Sequence, residues 1–337
     1  LTDRQVKARE RGVRAGGYAL SLLSTPLNVG LLRALAEGPK PLPELRRELG
    51  FPPQTTLRKH LKELSQIDAI AKRRSKGPPS HPDYELATPG HELLALADVL
   101  QDWLSGSPCG PLPLGSRAAK AATKALGEGW STTLLRVLAA RPFSLTELNR
   151  LLSNLTYPAL ESRLSAMRRV GLLNSLRGQG RPTPYRVTRW LRLAVGPLVA
   201  AVHWERRHLP EETAPLGRID AEAVFLLAAP LLTLPRELSG HCRLAMEVPK
   251  AGGRRMTGVM VGVEEGRIAS CTARLEGDAA AWASGSVPAW LRAVTAQETD
   301  QIELGGDCQL ARALLDGLHE ALFGGTRPVS GTADLLT

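Results

Sequence analysis

Cysteine is scarce in this sequence and never closely paired. Cys109, Cys242, Cys271 and Cys308 lie far apart with no CxxC spacing, so neither a disulfide framework nor a zinc site is expected, and the four read as buried small apolar residues. Aromatic residues make up only 4% of the chain, which leaves the cores to aliphatic side chains. Long apolar runs are also missing. The longest lie near Leu191–Trp204 and Ala221–Pro235, and Glu222 and Pro230 interrupt the second; neither supplies the ~20 apolar residues of a membrane span. The opening "LTDRQVKARERGVRAGG" is charged and has no apolar signal-peptide core. A soluble, cytoplasmic protein is expected.

Catalytic signatures are absent too. There is no P-loop, no GxGxxG after a strand, no HExxH and no GxSxG. His241-Cys242 has no partner visible in the sequence, and Glu264-Glu265 reads as a solvated pair at a turn. The expectation is a protein that is not an enzyme and uses no cofactor or metal. A Ser–His or Cys–His arrangement assembled only in three dimensions is the open alternative.

What is present is uneven charge. The chain carries +10 at pH 7, an apolar fraction of 43% sufficient for real cores, and 337 residues, enough for two or three domains. Residues 1–210 hold 32 Lys and Arg against 16 Asp and Glu; residues 211–337 hold 11 against 17. The first stretch has the balance to attract a polyanion and the second does not. A solvated basic surface is the bland alternative, so pattern has to name the partner.

The pattern is a repeat. Shifting the sequence by 103 positions aligns residues 31–70 with 134–173 without gaps, with Pro39/Pro142, Glu44/Glu147 and Arg47/Arg150 recurring among matched leucines. This reads as a tandem duplication. In the first unit a helix is expected over Pro26–Ala36, stopped at Glu37-Gly38-Pro39, and a short one over Leu42–Leu49, broken by Gly50. A third begins near Pro53–Gln54, with Leu57, Leu61, Leu64 and Ile67 as one stripe. The second unit places Leu160, Leu164, Met167 and Val170 on the same stripe, with Thr156 as N-cap.

Burying that stripe exposes Gln54, Thr55, Arg58, Lys59 and Lys62 in the first unit, and Tyr157, Glu161, Ser162 and Arg163 in the second. Helix, tight turn and longer polar-faced helix make a helix-turn-helix pattern. Generic three-helix packing is the rival for either unit alone. It weakens because a basic hairpin follows both. Lys72, Arg73, Arg74 and Lys76 crowd the first, and Arg177 and Arg181 flank the tip of the second. The return strands alternate at Tyr84/Leu86 and Tyr185/Val187. Such a hairpin is the wing of a winged helix, and its cations suit phosphates or a minor groove.

"LPELRRELG…TTLRKHLKEL" with "YELATPGHELL", and "LTELNRLLSNLTYPALESRLSAMRRVGLL" with "YRVT", resemble the winged-helix units of HxlR/MarR-like bacterial transcription regulators. The resemblance implies duplex DNA binding with the third helix in the major groove. It departs from the pattern in an inserted residue at "YELAT" and in the missing Pro-Gly after the second return strand. The two reading helices are chemically unequal, so the second unit either contacts DNA differently or serves partly as scaffold. Apolar helices over Glu92–Leu104 and Leu191–Leu209 close the units, either pairing them within one chain or simply covering each core.

Beyond Pro215 the pattern changes. A helix-like "DAEAVFLLAAPLLTL" precedes strands in which Cys242, Leu244, Met246 and Val248, then Val259, Val261 and Val263, alternate with polar or small residues. A final amphipathic helix, "CQLARALLDGLHEALF", follows. The order "VEEGRI…AWLRAV…ELGGDCQLARALLDGLHEALF" is similar to sterol-carrier-protein type-2-like domains. That resemblance implies an apolar tunnel and a hydrophobic ligand, with Met246, Met260, Trp282 and Trp290 as lining candidates; plain core packing is the alternative for each.

The expected fold class is mainly α with α+β. Two tandem winged helix-turn-helix domains (1–104 and 127–210), joined by a Gly/Pro/Ser linker (105–126), precede a sterol-carrier-like α+β domain (215–326) and a tail (327–337). The expected function is a transcription regulator that binds double-stranded DNA and senses a hydrophobic small molecule or a partner through its C-terminal domain. It would work without a membrane, as a pseudo-twofold monomer or a homodimer. A lipid carrier with relic winged helices and an adaptor contacting the transcription machinery are the alternatives.

Overall fold

The computed structural model describes residues 15–74, 82–127, 132–152, 155–175, 184–209 and 215–324. Helix α1 (Gly17–Leu23) buries Ala19, Leu20, Leu22 and Leu23. Helix α2 (Pro26–Ala36) begins on a proline, whose missing N–H is no loss in a first turn. After strand β1 (Lys40–Pro41) come α3 (Leu42–Glu48) and α4 (Gln54–Gln66). Leu57, Leu61 and Leu64 of α4 are buried, each stabilising the packed helix by about 1.5–3 kcal/mol. Strands β2 (Ile70–Arg74) and β3 (Pro82–Leu86) pair antiparallel, and β1 joins β3 through Lys40 and Tyr84. The two-residue β1 is too short to carry an alternation signal.

Helix α5 (Thr88–Ser105) starts four residues earlier than the apolar pattern predicts. Gly90 makes this possible: a Cβ there would overlap the Ala69 carbonyl against which the helix is seated. The expected linker 105–126 is a linker only in part. Its second half forms α6 (Arg117–Gly127), with Ala119, Ala122 and Leu126 buried at helical spacing. Its first half is pinned by Gln101, whose side-chain oxygen accepts the Leu114 N–H at 2.6 Å. Composition marked the prolines and glycines and missed the alanine stripe.

A second series follows: α7 (Thr132–Ala140), α8 (Leu145–Leu151), α9 (Tyr157–Arg169), β4 (Leu173–Ser175) and β5 (Tyr185–Val187). A reciprocal Ser144–Glu147 capping box opens α8, whereas Thr156, expected to cap α9, makes no side-chain bond there. The closing helix expected over 191–209 is broken at Ala194 into α10 (Arg189–Leu193) and α11 (Val195–His208), with Gly196 and Pro197 in the first turn of α11.

Helix α12 (Arg218–Ala228) leads through a 3-10 turn to β6 (Gly240–Lys250), β7 (Gly253–Glu264) and β8 (Arg267–Thr272). Then come β9 (Ala281–Ser286), α13 (Val287–Ala296), β10 (Glu303–Gly306) and α14 (Cys308–Phe323). The sheet order is β10-β9-β6-β7-β8; β6 and β9 run parallel and the other pairs antiparallel. Cys242, Leu244, Val259, Val261 and Ala283 are buried on the face carrying α12, α13 and α14. No single helix among the described residues is long and apolar enough to cross a membrane. All four cysteines are free; Cys242 is buried and Cys271 half-buried, but Cys109 and Cys308 are exposed, against the expectation of buried residues.

Three contacts set the arrangement. Trp103 of α5 and Trp190 of α10 stack with centroids 4.5 Å apart, and each indole N–H donates to the other's carbonyl, at 2.9 and 2.7 Å. Buried Glu222 of α12 accepts from Arg136 of α7, from Arg218 at 2.6 Å and from Thr257 of β7 at 3.0 Å. A third, Glu205 of α11, accepts the N–H groups of Gly16 and Ala19 at 2.7 and 2.9 Å and so caps α1.

Burial pushes the Glu205 carboxyl up from 4.5 to about 7, against the opposing pull of those N–H donors. A raised carboxyl holds its proton more tightly in the folded state. Its contribution to stability is complete below pH 4.5 and is lost as pH rises through about 7. Denaturant unfolding at pH 5 and pH 8 is expected to differ by up to about 3 kcal/mol more in the native protein than in Glu205→Gln. Identical pH slopes for the two proteins would refute this.

Candidate functional site

The polar face of α4 is built as its stripe demands. With Leu57, Leu61 and Leu64 turned inward, Gln54, Thr55, Arg58, Lys59 and Lys62 are all exposed along one side. The helix is held from behind by a polar chain. His60 Nδ1 lies 2.9 Å from Asn28 Oδ1, and the buried Asn28 amide donates to the Leu22 carbonyl at 3.1 Å. This chain ties α4 through α2 to the end of α1.

In the hairpin beside α4, Lys72 and Arg73 are exposed. The Lys72 ammonium lies 5.9 Å from the centroid of the Tyr84 ring, and Arg73 is 3.5 Å from Glu85. Arg74 ends β2, but its side chain lies outside the described residues, as does Lys76. Thus five cations, Arg58, Lys59, Lys62, Lys72 and Arg73, are exposed on α4 and the adjacent strand, a surface suited to a run of phosphates.

On α9 the picture is thinner. Tyr157 and Ser162 are exposed, Arg163 is half-buried, and Glu161 is exposed between them. Arg177 and Arg181 lie outside the described residues. The face is polar without being cationic until Arg168 and Arg169, exposed in its last turn.

The pattern reading missed Phe51. It sits in the turn between α3 and α4, 65% exposed, with a left-handed φ of 57° and the Arg46 guanidinium 5.9 Å from its ring. A bulky residue in that backbone region is costly, and an exposed phenylalanine gains nothing from the core. The available signal was position: an aromatic directly after the glycine that breaks α3, and before the helix expected to read DNA.

The second feature is a cavity of about 320 Å³ between the C-terminal helices and α1, α6 and α11. Met246 and Trp290 line it, as the sequence candidates require, but Met260 and Trp282 do not. The correction follows from strand geometry. Both pair in register with Arg243, so they share its face, opposite the one that carries Met246. Trp290 is fixed by an N–H bond to the Ala245 carbonyl at 2.8 Å and an edge contact with Phe225 at 4.9 Å. Phe225, Leu198 and Val202, which no periodicity singled out, complete much of the wall.

A family model described as an HxlR-like helix-turn-helix matches residues 23–107, about a quarter of the chain. Neither curated proteins nor solved structures yield a match. The matched span runs from the end of α1 through α5 and includes β2 and β3, and it supports a DNA-binding helix-turn-helix in this part of the chain.

Phe51→Ala should leave the thermal midpoint within about 1 °C of the native value, because an exposed side chain contributes little to folding. It should weaken duplex binding by about threefold or more in fluorescence anisotropy. A large stability loss with unchanged affinity would assign Phe51 to the fold instead.

Proposed function

We propose that this protein is a transcription regulator that docks α4 in the major groove of duplex DNA and lays β2 along the adjacent backbone. The observation that carries the reading is the exposed, cationic face of α4 within the span matched by the HxlR-like helix-turn-helix family. Gln54, Thr55 and Arg58 sit in the first turns of α4, where a recognition helix meets base edges, and Arg is the residue best matched to guanine. Lys59, Lys62, Lys72 and Arg73 then neutralise phosphates.

We further propose that residues 127–210 are a duplicated winged helix. Supporting this, α8 and α9 begin 103 residues after α3 and α4, and a Phe143–Tyr185 bridge parallels the Lys40–Tyr84 pair. Its Tyr157, Ser162 and Arg163 form a weaker second reading face, so the chain favours an asymmetric site. The C-terminal unit is read as a sterol-carrier-like domain that binds a hydrophobic small molecule and acts without catalysis. The cavity lined by Met246 and Trp290 supports this. A ligand there would regulate by favouring one placement of the two winged helices.

Affinity for a 30-base-pair duplex should fall with salt, with a slope of log Kobs against log salt of about −3 to −5 for four or five phosphate contacts. The charge reversals Arg58→Glu and Lys59→Glu together should cost about 30-fold or more, whereas Arg236→Glu, exposed in the acidic half, should cost less than threefold. Absence of duplex binding at low salt, or equal losses in both variants, would overturn the assignment.

A further inference from the structure

The cavity has a composition that restricts its occupant. At about 320 Å³ it lies at the small end of the range for ligand pockets, which suits a molecule of two or three fused rings rather than a two-chain lipid. Leu198, Val202, Val224, Phe225, Met246 and Trp290 make most of its wall apolar. Among the described lining residues Asp220 is the one ionisable group, and its Oδ2 accepts the Gly217 N–H at 3.0 Å. Among the described residues no cationic side chain lines the space, so a ligand carboxylate would be desolvated beside the Asp220 carboxyl with no described cation to offset it.

Its position matters as much. The wall includes Ala15 and Gly17, which flank Gly16, and the Gly16 N–H is held by Glu205. Gly16 adopts a left-handed φ of 81°, and a Cβ there would press on Val202 and on the Leu198 carbonyl, both from cavity-lining residues of α11. The seat of α1 and the wall of the cavity are therefore one piece of structure. At its other end α1 offers the Leu22 carbonyl to Asn28, which meets His60 on α4. A contiguous set of contacts runs from the cavity to the back of the DNA-facing helix.

We infer that the junction cavity binds a fused-ring small molecule that is uncharged or cationic, and that its occupancy shifts the seating of α1 and with it the DNA affinity of α4. The coupling half rests on the DNA-binding reading above; the ligand half does not. A ligand alters DNA binding only by its differential affinity for two arrangements, and a site whose wall belongs partly to α1 supplies that difference.

The test uses three naphthalenes differing only in the head group: 2-naphthylmethanol, 2-naphthylmethylamine and 2-naphthoate. Calorimetry on the full chain should show the alcohol and the amine binding, and the carboxylate at least tenfold weaker. Val224→Trp, which fills the space, should abolish binding of all three while keeping a thermal midpoint at or above the native one. Asp220→Asn, which retains a capping oxygen, should narrow the gap between amine and carboxylate to less than threefold. Equal binding of the three heads, or binding that survives in a folded Val224→Trp protein, would overturn the site and its ligand class.

Duplex affinity is then measured with the alcohol saturating. A change of threefold or more, lost in Asn28→Leu while ligand binding persists, supports the coupling; a change below twofold with the probe bound overturns it. Failure of the DNA reading would be recognised separately, as ligand binding with no duplex affinity at any salt.

Discussion

The relative placement of the two helical units depends on one reciprocal contact, the Trp103–Trp190 pair. Stacked indoles give area, but area alone tolerates sliding. What removes the freedom to slide is that each buried N–H finds its acceptor on the residue it stacks against, at 2.9 and 2.7 Å. Displacing either ring strands two donors in an apolar interior, at a cost of about 1–3 kcal/mol each. Nearby, Trp204 donates to the Pro89 carbonyl at 2.9 Å, and His208 and Arg207 meet Glu92. The closing helix of one unit is thus bonded to that of the other at both ends. The bonds are directional, so they specify one geometry rather than merely adding stability.

Glu222 plays the corresponding part toward the sheet. A single carboxylate with about 3% of its side chain exposed gathers an arginine from α7, another from its own helix and a hydroxyl from β7. An ion buried this deeply is tolerated because several donors share it. Arg192 repeats the device in miniature, donating to the Leu226 and Leu227 carbonyls at the end of α12, where burial lowers its pKa. One apolar core runs through all three parts of the chain, and these polar contacts fix how the parts meet.

Much of this was legible in the sequence where periodicity and punctuation carry the information. The leucine stripe, Gly38-Pro39 and Gly50 place α2, α3 and α4 within a residue, since helix faces and stops are local properties. Thr156 failed as a cap although its residue type is right, because capping also needs a side-chain geometry that a residue name does not encode. Met260 and Trp282 were misplaced by residue type when parity already spoke against Met260. If Val259 and Val261 face the helices, the residue between them does not. The cavity is the opposite case: Ala15, Leu198, Val224 and Trp290 meet only after α1, α11, α12 and α13 have packed, and no local pattern encodes that meeting.

Charge segregation gives these parts a common orientation. The acidic stretch 211–337 contains every strand of the five-stranded sheet, and the cationic face of α4 belongs to the basic stretch. A duplex would be attracted to the basic stretch and repelled by the acidic one, so under the proposed function the field would turn α4 toward DNA. The junction cavity lies between these two stretches, walled by α12, α13 and α14 on one side and by α1, α6 and α11 on the other. The seat of α1 on α11 and the bonds from Leu22 through Asn28 to His60 link its wall to the back of α4.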